Sequence, residues 1–163
     1  MRLSLSQNIF QKTKRSGVRS IASDRRFTRH STGGGWHVER SSIEEGQDFF
    51  QFAPNDFDII VSNPPFTRKD EVLKRLYELG KPFAILLPLN SLQGVSRYEY
   101  FKQGIQLLSF DKRIAFHSPD SMEEYRKGSS FATAYFCRDI LPHDLIIEEL
   151  KEYKKPLKGN ANE

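Results

Sequence analysis

The sequence predicts an α/β fold with a mainly parallel sheet, and three observations support this. The chain has 163 residues, of which 37% are hydrophobic and 13 are phenylalanine, enough for one domain with a packed core. Short apolar runs typical of buried strands recur at residues 58–62, 83–87, 105–110 and 131–137. Helical patterns alternate with these runs, and such alternation is typical of parallel sheets covered on both faces.

The predicted helices are located by apolar spacing and by stop signals. The first covers residues 68–79 and ends at Gly80 and Pro82, and one of its faces is apolar: Val72, Leu73, Leu76 and Leu79. A short helix is predicted around 97–103, closed by Gly104. A last helix is expected from Pro142, with Asp144 as its N-cap and an inner face formed by Ile146, Leu150 and Tyr153.

The charge distribution divides the chain into two predicted regions. Residues 1–40 contain nine Lys/Arg against two acids, whereas residues 41–163 contain sixteen against nineteen. Residues 1–40 are also rich in Ser, Thr and Gly and show no apolar period, which predicts a flexible basic leader. A basic nucleic-acid-binding tail is the alternative. Residues 41–163 are predicted to form the folded domain.

Several kinds of site are excluded or disfavoured by composition. The single cysteine, Cys137, cannot form an internal disulfide, and the four histidines lack the spacing of metal ligands. We therefore expect no metal. The chain has no apolar run of membrane-spanning length and no secretion signal, so we expect a cytoplasmic protein without membrane association.

The segment Asn63-Pro64-Pro65-Phe66 follows a predicted buried strand and has the groups needed to activate an aromatic amine. Such an amine is a weak nucleophile because its lone pair is delocalised into the ring, and hydrogen-bond acceptors on its protons make the nitrogen pyramidal. Asn63 offers an amide oxygen. Pro64 offers a carbonyl of fixed direction, because its φ is locked and Pro65 restricts its ψ. Phe66 offers a face for stacking a flipped base.

In these residues the chain resembles the amino-methyltransferases that modify adenine in DNA or RNA, whose fourth motif is Asp/Asn/Ser-Pro-Pro-Tyr/Phe/Trp after a buried strand. The resemblance implies a Rossmann-like fold, S-adenosylmethionine as cofactor, DNA or tRNA as partner, and Asn63, Pro64, Pro65 and Phe66 as catalytic residues. Residues 43–150 are most similar to compact adenine methyltransferases of phages and mobile elements. A Pro-Pro turn that only ends a strand is the alternative interpretation.

A second match lies fifteen positions before Asn63, where the family has an acidic residue followed by an aromatic one. Here these residues are Asp48 and Phe49. The resemblance implies that Asp48 accepts a hydrogen bond from the cofactor's adenine amine and that Phe49 packs on the adenine ring. An acid on a turn beside core phenylalanines is the plainer interpretation. Further along the chain, Pro88, Leu89 and Asn90 are expected on the side of the target base.

Arg68 and Lys69 follow the Pro-Pro motif directly, where basic side chains would be placed to contact phosphate. Two solvated charges at a helix start are the plainer interpretation of this pair. The sequence leaves both open.

The chain departs from the family at the glycine-rich first motif, which holds the methionine part of the cofactor. That motif should follow a strand in residues 3–13, a window without glycine. Gly33-Gly34-Gly35 follows no predicted strand, and Asp24 is a poor candidate for the cofactor ribose. We therefore expect an incomplete methyltransferase fold that binds S-adenosylmethionine weakly. The alternatives are a catalytically silent nucleic-acid-binding remnant, or one subunit of a split enzyme whose partner supplies the missing motif.

Overall fold

A computed structural model of the chain describes residues 48–51, 57–114 and 131–150, together with the backbone of 19–22 and 37–40. These residues form seven strands and two α-helices. The strands are β1 (Arg19–Ala22), β2 (His37–Arg40), β3 (Ile59–Ser62), β4 (Phe83–Pro88), β5 (Gln106–Phe110), β6 (Thr133–Arg138) and β7 (Leu145–Glu148). The α-helices are α1 (Lys69–Leu79) and α2 (Val95–Phe101).

The seven strands form one sheet in the order β2-β1-β3-β4-β6-β5-β7. Among them, β6 alone is antiparallel to its neighbours β4 and β5, and the other pairs are parallel. The carboxyl ends of the remaining six strands therefore lie at one edge of the sheet. The predicted α/β fold with a mainly parallel sheet is confirmed.

The strand order creates a switch point between β1 and β3. The chain leaves β1 to form β2 on one side, then returns to form β3 on the other side of β1. Helices or loops that leave neighbouring strands in opposite directions open a crevice at the carboxyl ends, where open α/β sheets bind ligands. Ala22 pairs with Val61 in this region, so both strands end at the same level.

The two faces of the sheet carry two separate apolar clusters, because side chains alternate along each strand. In β3, Ile59 and Val61 belong to one cluster, whereas Ile60 belongs to the other. The second cluster is covered by α1, whose Val72, Leu73 and Leu76 are buried as predicted. Leu79 packs at its margin and is half-buried.

Helix α1 begins directly after a 3₁₀ turn over Phe66–Arg68 and ends at Gly80. Asp70 and Glu71 lie in its first turn, where negative charge stabilises the amino end of a helix. Gly80 has φ 61° and ψ 18°, the left-handed conformation that commonly closes helices. In the part of the chain that the structure describes, neither α-helix is long and apolar enough to cross a membrane.

Two sequence-based assignments need correction. No element was predicted in residues 1–40, yet β1 and β2 pair with each other and β1 pairs with β3. The domain boundary at residue 40 stays a prediction, and the rest of that region lies outside the described residues. The helix predicted from Pro142 is wrong, because residues Leu145–Glu148 form the edge strand β7.

The strand at β7 is favoured over a helix by a partner that the local sequence does not reveal. Ile146 pairs with Leu108 of β5 in parallel register. Asp144 is not an N-cap, and its carbonyl instead accepts a hydrogen bond from the Leu107 N–H at 2.7 Å. Branched aliphatic side chains in Leu145-Ile146-Ile147 suit a pleated edge, and pairing with β5 satisfies their backbone groups.

Candidate functional site

The Asn63–Phe66 segment follows the carboxyl end of β3 and leads into the 3₁₀ turn that begins at Phe66. Asn63 is exposed, whereas Pro64 is buried. Pro65 has φ −57° and ψ 126°, and its carbonyl accepts a hydrogen bond from the Arg68 N–H at 3.1 Å. Within the described residues, neither the Asn63 side chain nor the Pro64 carbonyl is used in a hydrogen bond. Both oxygens are therefore available as acceptors at the carboxyl edge of the sheet.

Phe66 is half-buried and packs edge-to-face on a residue that sequence reasoning did not place in the site. Its ring centroid lies 5.7 Å from that of Phe131, with 79° between the planes. Phe131 lies two residues before β6 and is 40% exposed. The contact joins residues 65 positions apart, so no local spacing could have revealed it. The contact forms because β6 pairs with β4 in the sheet.

Asp48 and Phe49 lie on a turn that is closed by backbone donors. The Phe50 N–H donates to Asp48 Oδ1 at 3.1 Å, and the Gln51 N–H donates to the Asp48 carbonyl at 2.9 Å. The rings of Phe49 and Phe50 meet edge-to-face at 5.6 Å. Asp48 Oδ2 makes no hydrogen bond within the described residues, so this oxygen remains an available acceptor.

Arg68 connects this turn to the Asn63–Phe66 segment. Its guanidinium lies 4.0 Å from the centre of the Phe50 ring, a cation–π contact. It also pairs with Glu71 at 2.7 Å. The hydrogen bond to Glu71 raises the pKa of Arg68, the Asp48 carboxylate raises it further, and the Arg68 hydrogen bond lowers the pKa of Glu71. The two sequence motifs, fifteen residues apart, therefore lie at the same edge of the sheet.

The same contacts bear on the predicted phosphate role of Arg68. The pair with Glu71 uses Nε and Nη2 of Arg68, whose side chain is 44% exposed. Lys69 is half-buried at the start of α1. The structure thus supplies Arg68 with partners inside the chain, and both interpretations of the Arg68–Lys69 pair stay predictions.

Asn90 lies on the turn that follows β4. This strand ends at Pro88, and a 3₁₀ turn covers Leu89–Leu92. The Leu89 N–H donates to the Ala132 carbonyl at 2.9 Å, beside Phe131. Strand β4 is the direct neighbour of β3, so Asn90 and Asn63 belong to adjacent strand ends. The place of Asn90 on the side of the target base stays a prediction.

The available residues fit the adenine end of S-adenosylmethionine: Asp48 offers a carboxylate oxygen, and Phe49 offers a half-buried ring. For the methionine end, the window at residues 3–13, where the family's glycine-rich motif would fall, lies outside the described residues, and β1, which pairs with β3, is Arg19–Ala22. The segment that follows it, residues 23–36 with Asp24 and Gly33-Gly34-Gly35, lies outside the described residues.

Metal and thiol chemistry find no support in the described residues. No group of three or more His, Cys, Asp or Glu side chains there could hold a metal ion. Cys137 is buried in the core, and burial raises the pKa of its thiol to about 12. The thiol is therefore protonated at neutral pH and is not a nucleophile.

Several solved structures are similar to this chain, and two of them are described here. An inferred class I S-adenosylmethionine-dependent methyltransferase from Listeria monocytogenes aligns with a TM-score of 0.50 and 11% identity, over 93% of this chain and 65% of its own. An inferred methyltransferase from Thermoplasma acidophilum aligns with a TM-score of 0.38 and 10% identity, over 88% of this chain and 65% of its own. This chain thus spans 65% of the length of each. No protein-family model and no curated protein matches the sequence.

The likeness to the Listeria structure, together with the strand order, defines the class of fold. The chain has the α/β fold of class I S-adenosylmethionine-dependent methyltransferases, with a mostly parallel sheet and one reversed strand. The Rossmann-like methyltransferase fold expected from the resemblance is confirmed. At 11% sequence identity, the likeness shows the fold and no more.

Proposed function

We propose that this chain transfers a methyl group from S-adenosylmethionine to the exocyclic amine of adenine in nucleic acid. The observation that carries the proposal is the position of Asn63. It directly follows β3, beside the switch point of the sheet, and among the described residues neither its side chain nor the Pro64 carbonyl makes a hydrogen bond. An open α/β sheet binds ligands at this place.

Asn63 and Pro64 would act on the amine together. The Asn63 amide oxygen accepts one amine hydrogen and the Pro64 carbonyl accepts the other, so the nitrogen becomes pyramidal and its lone pair points away from the base plane. Bound S-adenosylmethionine would supply an electrophilic methyl group on its sulfonium. The nitrogen gains a carbon bond as the sulfur loses one, and the amine then releases a proton to solvent.

The aromatic pair Phe66 and Phe131 supports the base. A flipped base loses its stacking in the helix, and an aromatic side chain restores part of it. Phe66 is held in place by its edge contact with Phe131, which leaves Phe131 40% exposed at the rim. This arrangement favours a planar nucleobase over a flexible amine as substrate.

Asp48 and Phe49 would hold the adenine of the cofactor: the Asp48 carboxylate would accept a hydrogen bond from the adenine amine, and the Phe49 ring would pack on the adenine. A split enzyme whose partner subunit binds the methionine part of the cofactor is the competing proposal.

A methyl-transfer assay with labelled S-adenosylmethionine tests the proposal, with DNA duplexes and tRNA transcripts as acceptors. Replacing Asn63 by Ala should lower kcat by about two orders of magnitude or more, because it removes a preorganised acceptor aimed at developing charge. Folding should stay near wild type, since Asn63 is exposed. Label recovered as N6-methyladenine identifies the reacting atom, and the preferred acceptor separates DNA from tRNA.

Gln103→Ala is the matched control, since it removes an exposed amide whose side chain bonds only the Glu99 carbonyl on α2. It should leave kcat unchanged. Full activity in Asn63→Ala would reduce the Pro-Pro motif to a turn and refute the proposal.

A further inference from the structure

The turn after β4, residues Leu89–Gly94, is held by one side chain. Arg97 on α2 donates from Nε to the Ser91 carbonyl at 2.7 Å and from Nη2 to the Gln93 carbonyl. Its Nη1 donates to Asp70 Oδ1 at 2.6 Å. The Arg97 side chain is only 11% exposed, although it carries a full charge. We call residues Leu89–Gly94 the β4 turn.

These contacts join two elements that border the candidate site from different sides. The β4 turn carries Asn90 at the end of β4. Asp70 lies in the first turn of α1, four residues after Phe66. Arg97 therefore bridges the strand end on the target-base side to the helix that follows the Asn63–Phe66 segment.

The chemistry of the bridge requires an arginine. A planar guanidinium presents several N–H donors in a rigid fork, so it can serve two carbonyls and a carboxylate at once. A lysine ammonium at the same place could keep the charge pair with Asp70 but could not span both carbonyls. Turn carbonyls that lose their donors are left unpaired, and Ser91 itself is 1% exposed.

Gly94 fits this arrangement for a steric reason. A Cβ atom on residue 94 would lie 2.6 Å from Arg97 Cζ, far inside ordinary contact distance. A side chain at this position would push the guanidinium away from the carbonyls that it holds. The sequence therefore combines Arg97 with a residue that leaves room for it.

We propose that Arg97 is a positioning residue that fixes the β4 turn against α1, and thereby sets the place of Asn90 relative to Asn63 on the target-base side. The proposal rests on the proposed function for its catalytic consequence. Asn63 and Asp48 do not touch Arg97, so the reacting acceptors and the adenine end of the cofactor site stay unchanged when it is lost.

The test combines a structural and a kinetic readout on the full chain. Arg97→Ala should speed hydrogen exchange at the Gln93 amide, which donates to the Asn90 carbonyl at 3.2 Å, by about tenfold or more for the loss of a charged hydrogen-bond donor. In the methyl-transfer assay, kcat should fall about tenfold while KM for S-adenosylmethionine changes less than about twofold. Gly94→Ala should shift both readouts in the same direction without removing Arg97.

Lys102→Ala is the control, because Lys102, at the end of α2, makes exposed contacts with residues of that helix, an ion pair with Glu99 and a cation–π contact with Tyr98. Equal rates of hydrogen exchange at the Gln93 amide in Arg97→Ala and Lys102→Ala would overturn the proposal. A loss of kcat without faster exchange would also overturn it, since Arg97 would then act on substrate directly. If Arg97→Ala does not fold, the exchange and kinetic readouts of Gly94→Ala decide the proposal.

A wild-type chain without methyl transfer refutes the proposed function and the catalytic consequence of the Arg97 contacts. Hydrogen exchange then still decides whether Arg97 holds the β4 turn.

Discussion

At the scale of single residues, the geometry around Asn63 depends mostly on local chemistry. Two consecutive prolines restrict the backbone, and the observed Pro65 angles lie in the extended region that proline favours. The chain then turns at Phe66, where the Arg68 N–H reaches the Pro65 carbonyl. A polar acceptor, a fixed carbonyl and an aromatic ring therefore follow one another without help from distant residues.

The Phe66–Phe131 pair leads to a prediction about substrate binding. Truncating either ring to Ala should weaken binding of the target base by about 1–3 kcal/mol for one lost stack. The effect should appear as a higher KM for nucleic acid in the methyl-transfer assay, with KM for S-adenosylmethionine nearly unchanged.

Phe110→Ala is the matched control for these variants. Phe110 is also half-buried and meets an aromatic ring, that of Tyr135 at 6.5 Å, but it packs in the cluster on the other face of the sheet. The Phe110→Ala substitution should lower the free energy of unfolding without raising KM for nucleic acid. If Phe66→Ala and Phe110→Ala raise KM equally, the aromatic pair does not contact the base.

At the scale of elements, the local sequence of α1 and its tertiary packing both favour a helix. Its apolar face is buried against β3 and β4, its first turn is acidic, and it ends where Gly80 adopts φ 61°. The opposite case is β7, where a helix-like start at Pro142 is overridden by pairing with β5. An element is thus predictable when its own pattern and its neighbours favour the same conformation.

The end of α1 supports a stability prediction. Gly80→Ala should lower the free energy of unfolding by about 1 kcal/mol, because a Cβ disfavours the left-handed conformation. A Cβ there meets no atom within 4 Å, so the cost is conformational rather than steric. Gly80→Asn should cost less, since asparagine tolerates this conformation better.

Urea unfolding measures these changes as shifts of the midpoint at constant slope. Glu78→Ala, an exposed change in the same last turn, serves as control and should stay within about 0.5 kcal/mol of wild type. A Gly80→Ala protein as stable as Glu78→Ala would contradict the assigned helix end.

At the scale of the whole molecule, the order of strands decides where the site lies. At the switch point, the end of β1 at Ala22 lies next to β3, the strand that Asn63 follows. Arg68 connects Asp48's turn to the same edge. The candidate cofactor site is therefore a property of the fold, assembled from separate stretches of chain.

The binding of S-adenosylmethionine follows as a prediction at this scale. Asp48 and Phe49 supply contacts to the adenine end only, and each loss of about 1.4 kcal/mol weakens binding tenfold. We expect a dissociation constant of about 1 mM or weaker by calorimetry, because the described residues offer few polar contacts to the rest of the cofactor. Asp48→Ala should weaken it further, whereas Asp144→Ala, an exposed acid beside β7, should not.

Micromolar binding of S-adenosylmethionine would contradict this prediction in one of two ways. Micromolar binding that Asp48→Ala abolishes would show that residues 23–36 complete the site, contrary to the weak binding expected here. Micromolar binding that is indifferent to Asp48 would place the cofactor elsewhere and contradict the assignment of Asp48 and Phe49.

The sequence by itself determined the four apolar strands β3, β4, β5 and β6, the helix α1 and the Asn63–Phe66 segment, because each is encoded by consecutive residues or by one helical period. It did not reveal β1 and β2, whose Arg-Ser-Ile-Ala and His-Val-Glu-Arg stretches contain no continuous apolar run. Only tertiary structure decided those strands, the strand at β7, and the contacts of Phe131 with Phe66 and of Arg97 with Asp70. These strands and contacts depend on pairing between residues far apart in the chain, which local propensity does not encode.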